Sequence, residues 1–263
     1  MMERKLGGFR PEPLDPKHWT FSDKLKPRLC ALREDDVDLR PFSSPRHDQQ
    51  WTNSCVANAV IKALEIKRIM KFGHAAHVDL SRLAVYFLAR ELMFPQETSQ
   101  DAGTYVSLAC DVLRRWGVCT EEAWPFDLNK VFSPPPWGAM RQAHVNRIAA
   151  FYRLDSGVSR ARLVEDVIRC LRAGNPVVYG TAIGQNWFDY KPDQVLTTPK
   201  DMKDMVGRHA TVLVGFANGR FIGENSWGPN WGSNGFYWMD PGYITWKESC
   251  DFWTITAPWQ EVK

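Results

Sequence analysis

The chain has 263 residues, 44% hydrophobic and 24% charged, with a net charge of +3. That is ample for a full core, and too weak a charge to suggest nucleic acid or an acidic surface as partner. No apolar run reaches the roughly 18 residues of a membrane span, and the charged start lacks the apolar stretch of a secretory signal, so a cytoplasmic protein with no membrane association is expected.

Residues 1–36 hold Pro11, Pro13, Pro16 and Pro27, which prevent a continuous helix. Phe9, Trp19 and Phe21 in the same piece call for burial. Two readings stand: an extended arm packed on the body, or an inhibitory pro-segment in a cleft.

Asp48 to Ala63 turns from a polar loop into a helix at Cys55. Val56, Ala59, Val60, Ala63, Leu64, Ile69 and Met70 repeat at three-to-four spacing, so an amphipathic helix is expected. Lys67, Arg68 and Lys71 suit its negative end, and Gly73 closes it. Cys55 then lies at the positive end, where unpaired N–H groups favour the thiolate. His74 and His77 follow in a short loop and read as surface, with no third ligand expected nearby.

Ser81 reads as the N-cap of a helix over 82–93 that stops before Pro95. Residues 96–104 are a polar loop, and Thr104 is the expected N-cap of a helix to Trp116. Pro134 to Pro136 form a stiff connector. The boundary placed there gives an arm over 1–36, a helical lobe over 37–136 and a β-rich lobe over 137–263. In the last, strands are expected over 145–152, 176–183, 210–216, 220–224, 235–239 and 252–256, with a helix over 159–173 and a polar loop over 184–206. Asn218-Gly219 is a hairpin turn.

The six cysteines are Cys30, Cys55, Cys110, Cys119, Cys170 and Cys250. No Cys-x-x-Cys pair occurs, which argues against a zinc knuckle or dithiol motif. No metal or cofactor is expected. Cys55, followed far downstream by His209 in Gly-Arg-His-Ala-Thr-Val and by Asn225 in Glu-Asn-Ser-Trp-Gly-Pro-Asn-Trp-Gly, has the order of a thiol hydrolase.

These stretches resemble the papain-like cysteine peptidases, most of all their bacterial and archaeal branch. Gln49 stands six residues before Cys55, as that family's oxyanion glutamine does, and Cys55 follows Ser54. His209 precedes Ala210 and an apolar strand. Asn225 to Gly228, Trp231-Gly232 and Gly235-Phe236 match the Asn-Ser-Trp-Gly block and its companions. Asp38 to Pro41, 80–90, 117–126 and 251–255 extend the likeness over most of the chain.

The resemblance implies an α+β fold of two lobes. The helical lobe carries Cys55, and an antiparallel, barrel-like lobe carries His209 and Asn225. It implies a cysteine endopeptidase acting on peptide or protein substrates. Cys55 is the nucleophile, with a pKa depressed to about 3.5–7.5 by the helix end and an imidazolium partner. His209 moves the proton, Asn225 orients His209, and Gln49 with the Cys55 N–H holds the oxyanion. Trp227 shields the His209–Asn225 bond, and Asn53 and Ser54 border the substrate chain. Gly103 matches a glycine that offers backbone hydrogen bonds to substrate. Tyr105 either lines the adjoining pocket or simply packs.

Four departures stand out. Gln50 and Asn53 occupy usual glycine positions, and Thr52 a disulfide cysteine's, which suits a reducing compartment. Arg208 precedes the histidine, where small or acidic residues are usual; it either attracts substrate carboxylates or pairs with an acidic neighbour. Deamidation, acyl transfer or narrow exopeptidase activity on the same triad, and a non-catalytic binding role, remain as alternatives.

Overall fold

A computed structural model describes residues 8–21, 36–199 and 201–258, the side chain of Glu97 excepted; Pro27 and Cys30 fall outside these spans. Among the described residues six α-helices run in order: α1 Cys55–Phe72, α2 Arg82–Met93, α3 Val106–Arg115, α4 Trp137–Met140, α5 Arg160–Arg172 and α6 Gly242–Thr245. The strands are β1 Val37–Asp38, β2 Ala150–Arg153, β3 Val177–Gly184, β4 Val195–Leu196, β5 Met205–Ala217, β6 Arg220–Glu224, β7 Phe236–Met239 and β8 Cys250–Thr256. The first three helices form one lobe and the sheet forms the other.

The sheet order is β2-β8-β3-β5-β6-β7-β4, with β1 on β5. All pairings are antiparallel except β4 with β7. The β5–β6 hairpin turns at Asn218 and Gly219, at φ 52° and 72°, the left-handed pair that matches strand twist. Val212 pairs with Glu224, which sets the start of the Asn-Ser-Trp-Gly block beside the middle of β5.

Ser81 caps α2 through the Ala84 N–H, and Ser159 caps α5 through that of Arg162. The N-cap of α3 is Tyr105, not Thr104. Thr104 is extended, and its N–H and carbonyl are bonded to the N-terminal arm instead. The expected strand over 145–152 is shorter and later: Ala143–Asn146 is a 3-10 turn, and pairing with β8 begins only at Ala150.

α1 departs most from expectation. It is buried on nearly every side rather than along one stripe, and it buries Lys62, Glu65 and Lys67. Lys67 does not reach out to solvent at the helix end. Its ammonium binds Asn175 Oδ1 at 2.5 Å, and burial lowers its pKa to about 8. Lys62 lies 3.2 Å from Glu224 and 3.9 Å from Glu65, while His47 Nε2 is 3.0 Å from Glu65. Arg46 also meets Glu224, at 3.0 Å. These pairs join α1 and the loop before it to β6, one residue ahead of Asn225.

Candidate active site

Cys55 is the first residue of α1, and Ser54 before it is fully buried. Ser54 Oγ lies 2.6 Å from Thr52 Oγ1 and accepts from Asn58 Nδ2 at 3.0 Å. The loop from Asp48 to Ser54 is therefore tied internally, without a disulfide. The five described cysteines are free thiols. Gln50 adopts φ 51°, the backbone region that favours glycine at this position in the resemblance, and its N–H is held by Asp48 Oδ1 at 2.8 Å. Asn53 is pinned to Asp101 through its backbone N–H and its side-chain amide.

β5 brings His209 to the same place. The Ala210 backbone acts on the Cys55 thiol, lowering its pKa against the effect of burial, so the chain neighbour of His209 lies near it. His209 Nε2 lies 2.7 Å from Asn225 Oδ1, which also accepts the Ser226 N–H at 2.8 Å. A carbonyl oxygen only accepts, so Nε2 carries the proton in this contact, which leaves Nδ1 as the nitrogen able to exchange one. The Trp227 ring, 2% exposed, lies 5.0 Å from the imidazole, and Trp187 meets the imidazole edge-on at 5.9 Å. Both rings pack on the imidazole, and His209 and Asn225 are themselves buried. Trp187 falls in the stretch expected to be polar loop, where no sequence signal marks it.

Gln49 is held at both ends of its amide. Nε2 donates to the Thr52 carbonyl at 2.8 Å, and Oε1 accepts from Ser226 Oγ at 2.7 Å. One Nε2 hydrogen remains beyond the bond to Thr52. Ser226 was not singled out from the sequence, although it sits inside the Asn-Ser-Trp-Gly block.

The arm enters this site. A Cβ built on Gly8 would lie 2.7 Å from Cys55 Sγ and collide with the Asn53 carbonyl. The Thr104 N–H donates to the Gly8 carbonyl at 3.1 Å, and the Arg10 N–H to the Thr104 carbonyl at 3.2 Å, a parallel bridge centred on Phe9. The Phe9 ring is 2% exposed and occupies the space that a side chain at Gly180 would fill. Gly180 is paired with Ala210, the residue after His209. Phe21 is buried as well, whereas Trp19 stays about half exposed with its ring 5.9 Å from Tyr152.

Two expectations change, and one alternative is selected. The backbone ladder to the arm runs through Thr104, while the N–H of Gly103 is turned to Tyr86 Oη at 3.1 Å. Of the two readings of Arg208, pairing with an acidic neighbour holds: it donates to Glu248 at 2.7 Å. The Cys55 thiol is not depressed: burial pushes it up to about 12, against the opposing N–H groups of Ala210, Val56 and Cys55. With Gly8 against its sulfur, Cys55 is 1% exposed and has little water to stabilise a thiolate. Tyr105 is half-buried.

His77, Asp79 and Glu65 bring donor atoms within 4.8 Å of one another, which puts two further ligating groups beside His77. Glu65 is already occupied by Ser44, His47 and the Leu80 N–H. Among the described residues no helix is long and apolar enough to cross a membrane.

A family model described as papain family cysteine protease matches residues 34–256. An uncharacterised peptidase C1-like protein of Acanthamoeba polyphaga mimivirus is 29% identical over 251 residues, covering 91% of this chain and 79% of that protein. Xylellain, a cysteine protease from Xylella fastidiosa, superposes with a TM-score of 0.81 at 26% identity, covering 98% of each chain. Procathepsin B S9 from Trypanosoma congolense shares the fold at 17% identity and a TM-score of 0.70, covering 95% of this chain and 86% of its own.

Proposed function

Since the chain belongs to the papain family of cysteine proteases, we propose that Cys55, His209, Asn225 and Gln49 carry out peptide-bond hydrolysis, and that the N-terminal arm holds the enzyme inactive. The observation that carries the first part is the pair of Gln49 and Asn225 side chains, both fastened by Ser226, with His209 bonded to Asn225.

With the arm lifted, water reaches the sulfur and the proton passes from Cys55 to His209 Nδ1. The thiolate attacks the scissile carbonyl carbon, and its oxygen takes the negative charge. The free Gln49 Nε2 hydrogen and the Cys55 N–H stabilise that oxyanion. The imidazolium protonates the leaving amine, leaving a thioester. Water, deprotonated by His209, then attacks the thioester, releases the acid and restores the thiol. Asn225 holds the imidazole plane throughout, and its contact with Ser226 keeps the amide oxygen turned toward Nε2.

Self-inhibition rests on Gly8 and Phe9. The Gly8 carbonyl is bonded to Thr104 rather than directed to Gln49, so the arm lies at the sulfur in a pose unfit for attack.

Incubation of a peptide library with the wild type, Phe9→Ala and Cys55→Ala, read by mass spectrometry, tests both parts. New N-termini from Phe9→Ala and none from Cys55→Ala are expected, with slower cleavage by the wild type. Released ammonia without new termini overturns the hydrolysis reading. Equal rates for wild type and Phe9→Ala overturn the inhibitory one.

A further inference from the structure

Past Phe9, the arm makes a second contact with the body that the reaction does not use. At one end Glu12 is fastened twice: its N–H donates to Asp251 Oδ2 at 2.8 Å, and its Oε1 accepts from Ser107 of α3 at 2.6 Å. At the other end the Trp19 carbonyl accepts the Arg153 N–H of β2 at 2.9 Å. Between these fastenings the arm forms one wall of a cavity of about 450 Å³, and α3 with β2 forms the other. Small-molecule sites run from about 300 to 1,000 Å³, so the cavity has room for a ligand.

The two walls carry opposite charge. On α3 one carboxylate lies between two guanidiniums: Arg114 Nη2 is 2.8 Å from Asp111 Oδ1, and Arg115 Nε is 2.5 Å from Oδ2. That wall has one positive charge in excess, and about half of each arginine side chain is exposed. The Nη groups of Arg115 remain as donors for a further carboxylate. On the arm, Glu12 and Asp15 stand against Lys17, an excess of one negative charge. Among the described residues no ion pair joins the arginines to the carboxylates of the arm. Glu12 Oε2 and His18 Nδ1, from residues that line the cavity, are buried with no hydrogen-bond partner among the described residues. Polar atoms buried in that way are costly, and they call for a bound group. Leu108 and Phe151 add apolar surface between the charged groups.

The geometry points to a binding site for a short zwitterionic peptide with apolar side chains. Its carboxylate meets Arg114 and Arg115, its ammonium meets Glu12 and Asp15, and its side chains lie on Leu108 and Phe151. An ammonium brings three donors and no acceptor, the complement of two carboxylates. One wall of the site is the arm itself, so the site exists only while the arm is closed, and its ligand stabilises the closed state. Short peptides are what hydrolysis releases, which makes this a site of product feedback. That consequence rests on the proposed hydrolysis and self-inhibition, while the site and its test do not.

Calorimetric titration of full-length Cys55→Ala with the dipeptide leucylphenylalanine measures binding without turnover. A Kd of about 5 mM or tighter is expected. N-acetylation or C-terminal amidation of the dipeptide should weaken it about fivefold or more, as should Arg115→Gln or Asp15→Asn in the same protein, both surface positions. Amide hydrogen exchange gives the second readout, at Arg10 and Thr104, whose N–H groups bond across the arm and the cleft wall. At ten times Kd their protection should rise about tenfold. A peptide seated in the catalytic cleft would instead displace Gly8 and Phe9 and lower that protection. Binding weaker than about 5 mM, equal affinity for the capped dipeptides, affinity unchanged in both variants, or protection that stays level or falls overturns the proposal. Neither measurement involves turnover, so a failure of the hydrolysis reading leaves the result intact.

Discussion

Gly8 lies against the sulfur of Cys55, so near that a Cβ at position 8 would stand 2.7 Å from Sγ. Any side chain at position 8 must push the arm away from the thiol. Gly8→Leu is therefore expected to raise both the rate of Cys55 alkylation by iodoacetamide and kcat/KM for peptides. Phe9→Ala removes a buried ring, a change that costs about 3–5 kcal/mol in a core. If half of that falls on arm docking, the open population rises on the order of 30-fold. Titration of alkylation rates against the wild type checks both, and rates equal to wild type would detach the arm from control of the thiol.

His209 and Asn225 should differ in severity. Loss of the proton-exchanging ring removes about 10²–10⁴-fold of rate. Loss of Asn225 removes one 2.7 Å hydrogen bond, worth about 1–3 kcal/mol when buried, or roughly 5- to 150-fold. Single-turnover rates of His209→Ala and Asn225→Ala in the Phe9→Ala background separate the two; equal residual rates would contradict the orienting role.

Ser226 is a positioning residue for Gln49. Ser226→Ala leaves Oε1 of Gln49 without its 2.7 Å donor and lets the amide turn. The expected signature is a fall in kcat with KM little changed, smaller than the about 10²–10³-fold of Gln49→Ala. A fall confined to KM would place Ser226 outside oxyanion stabilisation.

Glu65 makes the fold acid-sensitive. Burial alone would raise its carboxyl, but His47, Lys62 and Ser44 hold it down to about 2. A depressed folded pKa means stability that is present above the ordinary carboxylate range and lost as pH falls toward 2. Glu65→Gln should cost less than the about 3–5 kcal/mol of a stranded buried charge at neutral pH, because Lys62 keeps Glu224 at 3.2 Å, and should flatten the loss of stability between pH 5 and pH 3. Urea midpoints at three pH values measure both, and parallel pH curves for the two proteins would exclude Glu65 as the source.

Arg208 is paired to Glu248, with 36% of its side chain exposed. A guanidinium so engaged has less to offer an incoming carboxylate. Arg208→Ala is expected to change the preference for Glu over Gln near the scissile bond by less than about threefold. Matched peptides with either residue provide the measurement, and a tenfold change would make Arg208 a specificity residue.

Local pattern alone was enough for α2, whose Ser81 cap and 82–93 span are set by neighbours in sequence, and for β6 with its Asn218-Gly219 turn. The motifs around Gln49, Cys55, His209 and Asn225 were legible in the same way, because motif spacing is a local property, and the fold sets His209 against Asn225. The tertiary structure decided what depends on residues far apart. Lys67 suits a helix's negative end in the sequence, and only the fold sets it against Asn175, Lys62 against Glu224 of β6, and Glu65 against His47. Thr104 read as a helix cap until the arm, almost a hundred residues upstream, took its N–H and carbonyl. The ionisation of Cys55 was decided the same way: a helix end favours the thiolate, but the approach of Gly8 removes the water that a thiolate needs. Burial is a property of the folded assembly and is not written in the sequence around any one residue.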